Sequence, residues 1–204
     1  MESATQPPAK RVAVIVAHPD DETLWAGGLL LRHPEWEVFI LTLNHRTDPV
    51  RAPRFHRALE RYGAAGDMGD LLDGGREGAL PEGLVERTIL RLLPSRAFDR
   101  IVTHSPKGEY TEHVMHDEVS DAVSRLLDDG SIRTPELWHF AYDDQGGAEL
   151  PQAARDADLQ LPLPEPVWQE KRSIITGIYG FAEDAWETRT TPRVEAFRAL
   201  AGNG

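Results

Sequence analysis

Five consecutive apolar residues, Val12-Ala13-Val14-Ile15-Val16, break off into Ala17-His18-Pro19-Asp20-Asp21-Glu22. A short unbroken apolar run of this kind predicts a parallel strand buried on both faces. Residues 23–31, with Leu24, Trp25, Leu29, Leu30 and Leu31, predict a helix directly after it. The alternation then recurs. Further strands are predicted over 37–43, 67–73, 99–103 and 136–142, and further helices over 54–62, 80–93, 113–127, 168–177 and 193–200. Gly63 and Pro94 supply stop signals for two of these helices. The stretch 145–166 is rich in Gly, Pro and Asp and is expected to be irregular. Strands alternating with helices imply an α/β fold, a Rossmann-like three-layer sandwich with a mostly parallel sheet covered on both faces.

With 204 residues the chain has room for one sizeable core. Residues 1–9 read as a flexible N-terminal tail, and 10–204 as a single domain without internal repeats. The formal charge of −12, with scattered basic residues, argues against binding to a nucleic-acid backbone. The absence of cysteine removes disulfides, thiolate metal sites and a cysteine nucleophile, and fits a reducing compartment. No apolar run approaches a membrane span and no signal peptide is evident, so a cytoplasmic location is expected. The sequence leaves a homo-oligomer open.

What changes the picture is the chemistry that interrupts the pattern. One imidazole and three carboxylates, in His18-Pro19-Asp20-Asp21-Glu22, stand where the first strand ends and the first helix begins. In open α/β sheets ligands bind at such strand ends. A helix N-terminus welcomes one acid as a cap, but it has no need of this whole cluster. A second group, His104 to His116, also follows a strand and opens a helix, and His113 and His116 fall on one face of that helix. If both strands share one parallel sheet, His18, Asp21 and His116 can converge on one cation. Two imidazoles and a carboxylate suit catalytic zinc and also ferrous iron.

These residues resemble the signatures of the PIG-L-type (LmbE-like) N-deacetylases, zinc hydrolases that remove acyl groups from amino sugars and related amines. The first family signature, A-H-P-D-D-E, is matched by Ala17 to Glu22, and the second, G-x-Y followed by H-x-x-H, by Gly108-Glu109-Tyr110 with His113 and His116. The resemblance covers residue 11 to the helix after His116 and, more loosely, 168–179. It implies that His18, Asp21 and His116 are the zinc ligands, that Asp20 is the general base, and that His113 stabilises the oxyanion as an imidazolium. It implies a linear-amide hydrolase acting on a small N-acylated, sugar-like substrate, with N-acetyl as the favoured acyl group. A hydrolase of another C–N or ester bond and a non-catalytic metal- or ligand-binding module are the alternatives, as are Fe2+ or another divalent cation in place of Zn2+.

The chain departs from the family in places. Tyr110 lies three residues before His113 rather than two, and Val114-Met115 replace the usual Pro-Asp. Arg51 aligns with a family arginine, while Arg54 stands where an acid is usual. Arg51 and Tyr110 are accordingly expected as substrate contacts. Specificity is expected in the loops 44–53, 74–78 and 145–166. His104 reads either as an outer partner of the site or as structural, the tryptophans read as core, and Gly27-Gly28 as a close approach of helix to sheet.

Overall fold

Along the first strand the side chains alternate between two cores, as the period of two requires. In the computed structural model, which describes residues 8–73, 80–106, 108–110 and 113–204, Val12, Val14 and Val16 face one layer and Ala13, Ile15 and Ala17 the other. The elements are β1 (Arg11–Val16), α1 (Asp21–Arg32), β2 (Glu37–Thr42), α2 (Arg51–Tyr62), β3 (Ala65–Met68), α3 (Leu84–Leu92), β4 (Arg100–Thr103), α4 (Val114–Asp128) and β5 (Glu136–Phe140). They continue with β6 (Tyr142–Asp143), β7 (Gln152–Ala153), β8 (Leu159–Pro162), α5 (Glu165–Ser173), a π-helical turn (Ile174–Ile178), α6 (Trp186–Thr190) and β9 (Val194–Ala201).

Leu24, Trp25 and Leu29 of α1, Phe55 and Leu59 of α2, and Ile174 and Ile175 pack on one face of the sheet. Val85 and Ile89 of α3, with Val119, Val123 and Leu126 of α4, pack on the other. The predicted three-layer α/β architecture is therefore present. The sheet runs β3-β2-β1-β4-β5-β9-β8, parallel from β3 to β5. β1 and β4 are neighbours although two strands separate them in sequence, so the chain leaves β1 on one side and β4 on the other. The crevice that opens there is the switch point of the sheet, and both charged loops leave from it.

Several sequence expectations change. Residues 193–200 form no helix. Residues 194–200 belong to β9, antiparallel to β5 and β8, with Phe140↔Phe197 and Glu136↔Ala201 at the ends of its register with β5. The reason lies in burial. Helix propensities differ by only a few tenths of a kcal/mol per residue, whereas burying Phe197 completely is worth about 1.5–3 kcal/mol. Predicted strand 67–73 shifts to β3, and the segment 145–166 contains β7 and the edge strand β8. Predicted helix 168–177 starts earlier, as α5, and changes to the π-helical turn at Ile174. Gly27 and Gly28 admit Tyr62 and Leu163, a Cβ on Gly28 standing 2.4 Å from Leu163, and the Gly28 N–H donates to Glu195 of the sheet strand β9 at 2.6 Å. The expected tail lies outside the described residues up to residue 7. Among the described residues no helix is long and apolar enough to cross a membrane.

Candidate active site

The turn between β1 and α1 holds Asp20 at φ 124°, a conformation rare outside glycine. Such strain costs on the order of 1–3 kcal/mol and persists only when its surroundings impose it. Here the Asp20 N–H donates to Glu22 Oε2 (3.0 Å), and the Asp20 carbonyl accepts from the N–H groups of Thr23 and Leu24 (3.0 and 2.7 Å). Glu22 is fully buried, and its Oε1 accepts from the hydroxyls of Thr23 and Tyr179, each at 2.6 Å. Asp20 occupies the N-cap position of α1 but its side chain makes no capping hydrogen bond, which leaves the carboxylate for other work.

From the neighbouring loop, His113 stands at the N-cap of α4 and His116 in its first turn. Their rings stack with centroids 4.4 Å apart, as the spacing of three predicts. His18 Nδ1, Asp21 Oδ2 and His116 Nε2 form a nearly equilateral triangle, with edges of 3.3, 3.3 and 3.4 Å. Three ligand atoms of a tetrahedral zinc, at bond lengths of about 2.0–2.1 Å, would stand about 3.3–3.4 Å apart. The donor set and its spacing therefore fit a metal ion. The structure brings together the three residues that the sequence singled out.

Behind the triangle lies Glu109, the variable position of the G-x-Y match, to which the sequence reading gives no role. It is buried, and its Oε1 accepts from His104 Nδ1 (2.8 Å) and the Ser105 N–H (3.0 Å), while Oε2 faces His116 Nδ1 at 3.0 Å. Burial opposes ionisation of Glu109, but the two imidazoles outweigh it and hold its carboxyl below the ordinary range. The Ala17 N–H donates to His104 Nε2 at 2.9 Å. Burial disfavours a second proton on His104, but Glu109 and Asp21 outweigh it and lift the imidazole to about 9, against which stands the hydrogen bond from Ala17. The Ala17 N–H decides the matter, because it needs the lone pair on Nε2, so His104 carries its proton on Nδ1. Of its two sequence readings, His104 is thus an outer partner of the site.

Electrostatics separate the remaining groups. Burial and the charges of Asp21 and Glu22 push Asp20 well above the ordinary carboxylate range. Burial would also raise Asp21, but His116, His104 and His18 hold it down. Burial lowers His18, but Asp21 and Asp73 outweigh it and lift the imidazole to about 9. Asp73 Oδ2 lies 3.3 Å from His18 Nε2. Burial and the imidazoles of His116 and His18 depress His113 to about 4. These surroundings favour a neutral His113 in place of the expected imidazolium.

A cavity of about 440 Å³ opens over the cluster, lined by His18, Asp20, Asp21 and His113 together with Arg51 and Tyr110. Arg51 Nη1 lies 3.0 Å from His45 Nε2, and Tyr110 packs edge-on against His116 with centroids 5.6 Å apart. Leu24, Asp73, Trp186 and Glu187 complete the lining. Trp186, expected in the core, is 38% exposed and stands 5.2 Å from the Tyr110 ring. Of the expected specificity loops, 44–53 contributes Arg51. The segment 145–166 lends Ala154 and Asp156 to a neighbouring cavity of about 310 Å³, and 74–78 lies outside the described residues.

No family model matches the chain. An uncharacterized protein of Acanthamoeba polyphaga mimivirus is 26% identical over 145 residues, 64% of this chain and 61% of that protein. The chain thus spans about three fifths of the length of the curated relative it matches. Among solved structures, the N,N'-diacetylchitobiose deacetylase of Pyrococcus horikoshii superposes with a TM-score of 0.70 at 16% identity, covering 96% of this chain and 86% of that one. The 4-carboxy-2-hydroxymuconate hydratase of Pseudomonas putida gives 0.64 at 17% identity, covering 94% and 96%. A zinc-inhibited form of teicoplanin deacetylase gives 0.58 at 16% identity, covering 83% and 84%. One fold thus serves a hydratase as well as deacetylases, and the reaction has to be argued from side chains. The chain shares its fold with N,N'-diacetylchitobiose deacetylase over 96% of its length and with teicoplanin deacetylase over 83%.

Proposed function

We propose that this protein is a zinc-dependent hydrolase that removes an N-acyl group, with acetyl favoured, from an amino sugar, glycoconjugate or related small amine in the cytoplasm. One observation carries most weight. Three ligand atoms have tetrahedral spacing, and two of their residues, His18 and Asp21, line a cavity together with an acid, Asp20, that stands outside the triangle. A site built only to bind metal has no use for that acid.

His18, Asp21 and His116 would hold the ion. Bound zinc supplies Lewis acidity that activates water and polarises the acyl carbonyl. Asp20 takes the proton of the attacking water and returns it to the departing amine, a task suited to a carboxyl whose proton affinity has been raised. His113, as a neutral imidazole, donates a hydrogen bond to the acyl oxygen as charge develops there. Arg51 and Tyr110 orient the substrate from the cavity wall.

The test is elemental analysis joined to an amine-release assay over N-acetylated sugars and glycoconjugates. About one divalent cation per chain and release of amine are expected; a zinc-loaded protein that releases no amine from any of them would overturn the reading. In the same assay His113→Ala should lower kcat by roughly two to three orders of magnitude, with KM and metal content little changed. An unchanged kcat would make His113 a bystander.

Zinc and the proton compete for His18. With that imidazole lifted to about 9, apparent zinc affinity should strengthen as pH rises from 6.5 and level off above about 9. Competition against a chromophoric chelator reads this directly, and a flat profile would mean that His18 gives up no proton on binding.

A further inference from the structure

The geometry points to Glu109 as a positioning residue that fixes which nitrogen of His116 faces the metal, and that ties the two loops of the switch point together through His104. This rests on the metal reading above.

The hydrogen bonds define the function. Glu109 is 1% exposed and can only accept when ionised. Oε2 takes the proton of His116 Nδ1, which leaves the lone pair of His116 on Nε2, the atom in the ligand triangle. Oε1 takes the proton of His104 Nδ1, which leaves His104 Nε2 to accept the N–H of Ala17, the residue before His18. One carboxylate therefore sets the protons of two imidazoles, and its reach extends from the β4 loop to the end of β1. Outer partners of this kind orient a metal-binding imidazole and raise its basicity.

Glu109→Gln separates this role from simple packing, because the amide has the same shape but only one acceptor. Its oxygen can keep His104 and Ser105. Its NH2 then faces His116 Nδ1, which must offer a lone pair, so the proton moves to Nε2 and blocks the ligand atom. Zinc affinity should fall about 10- to 100-fold. Long-range proton–nitrogen spectra of the zinc-loaded wild type should show His116 and His104 each protonated on Nδ1.

Two results would overturn the inference: a folded Glu109→Gln variant that binds zinc within about threefold of the wild type, or a wild-type His116 protonated on Nε2. The second is decided without the variant, should the variant fail to fold. A wild type that binds no zinc is a different outcome, and it brings down the metal reading on which this one rests.

Discussion

Asp20→Asn is expected to keep its metal and to lose at least about 100-fold in turnover. Asparagine has nearly the shape of aspartate and is among the residues that best tolerate positive φ. The bonds that impose the turn use the Asp20 main chain, so the substitution leaves them in place. What disappears is the proton acceptor. Metal content and kcat, measured on one preparation, separate the outcomes. Loss of metal would place Asp20 among the ligands, and near-normal turnover would move the base elsewhere. Glu22 is a poor replacement, because Thr23, Tyr179 and the Asp20 N–H already occupy both of its oxygens.

His116→Ala should have the larger effect on metal. Loss of an outer partner already costs about 10- to 100-fold in affinity, and removal of a direct ligand should cost more. The fold should survive, because α4 is held by Val119, Val123 and Leu126 against the sheet rather than by His116. The variant leaves Glu109 Oε2 without its imidazole donor, a defect worth about 1–3 kcal/mol and a melting temperature lower by several degrees. Elemental analysis and a thermal scan check both parts. Metal content equal to that of the wild type would remove His116 from the ligand set.

The parts of the molecule that were legible in sequence are those where one residue pattern has one structural use. β1 is apolar from Val12 to Val16 because both faces are buried there, and the charge that follows it marks the switch point. His18 and His116 could be paired across 98 positions only because strand ends in a parallel sheet share an edge. β9 was illegible because its buried Glu195, paired with Lys171 at 2.7 Å, reads as surface. Trp186 carries no sequence mark that distinguishes a cavity wall from a core. Tyr179 reaches Glu22 from 157 positions away, and only the folded chain reveals that contact.

That last contact orders events during synthesis. The turn that carries Asp20 leaves the ribosome long before the hydroxyl that steadies Glu22, which follows 157 residues later. At about 5–20 residues per second the delay is on the order of ten seconds. His116 emerges within that interval, so all three residues of the proposed ligand set are synthesised before the hydroxyl that steadies Glu22.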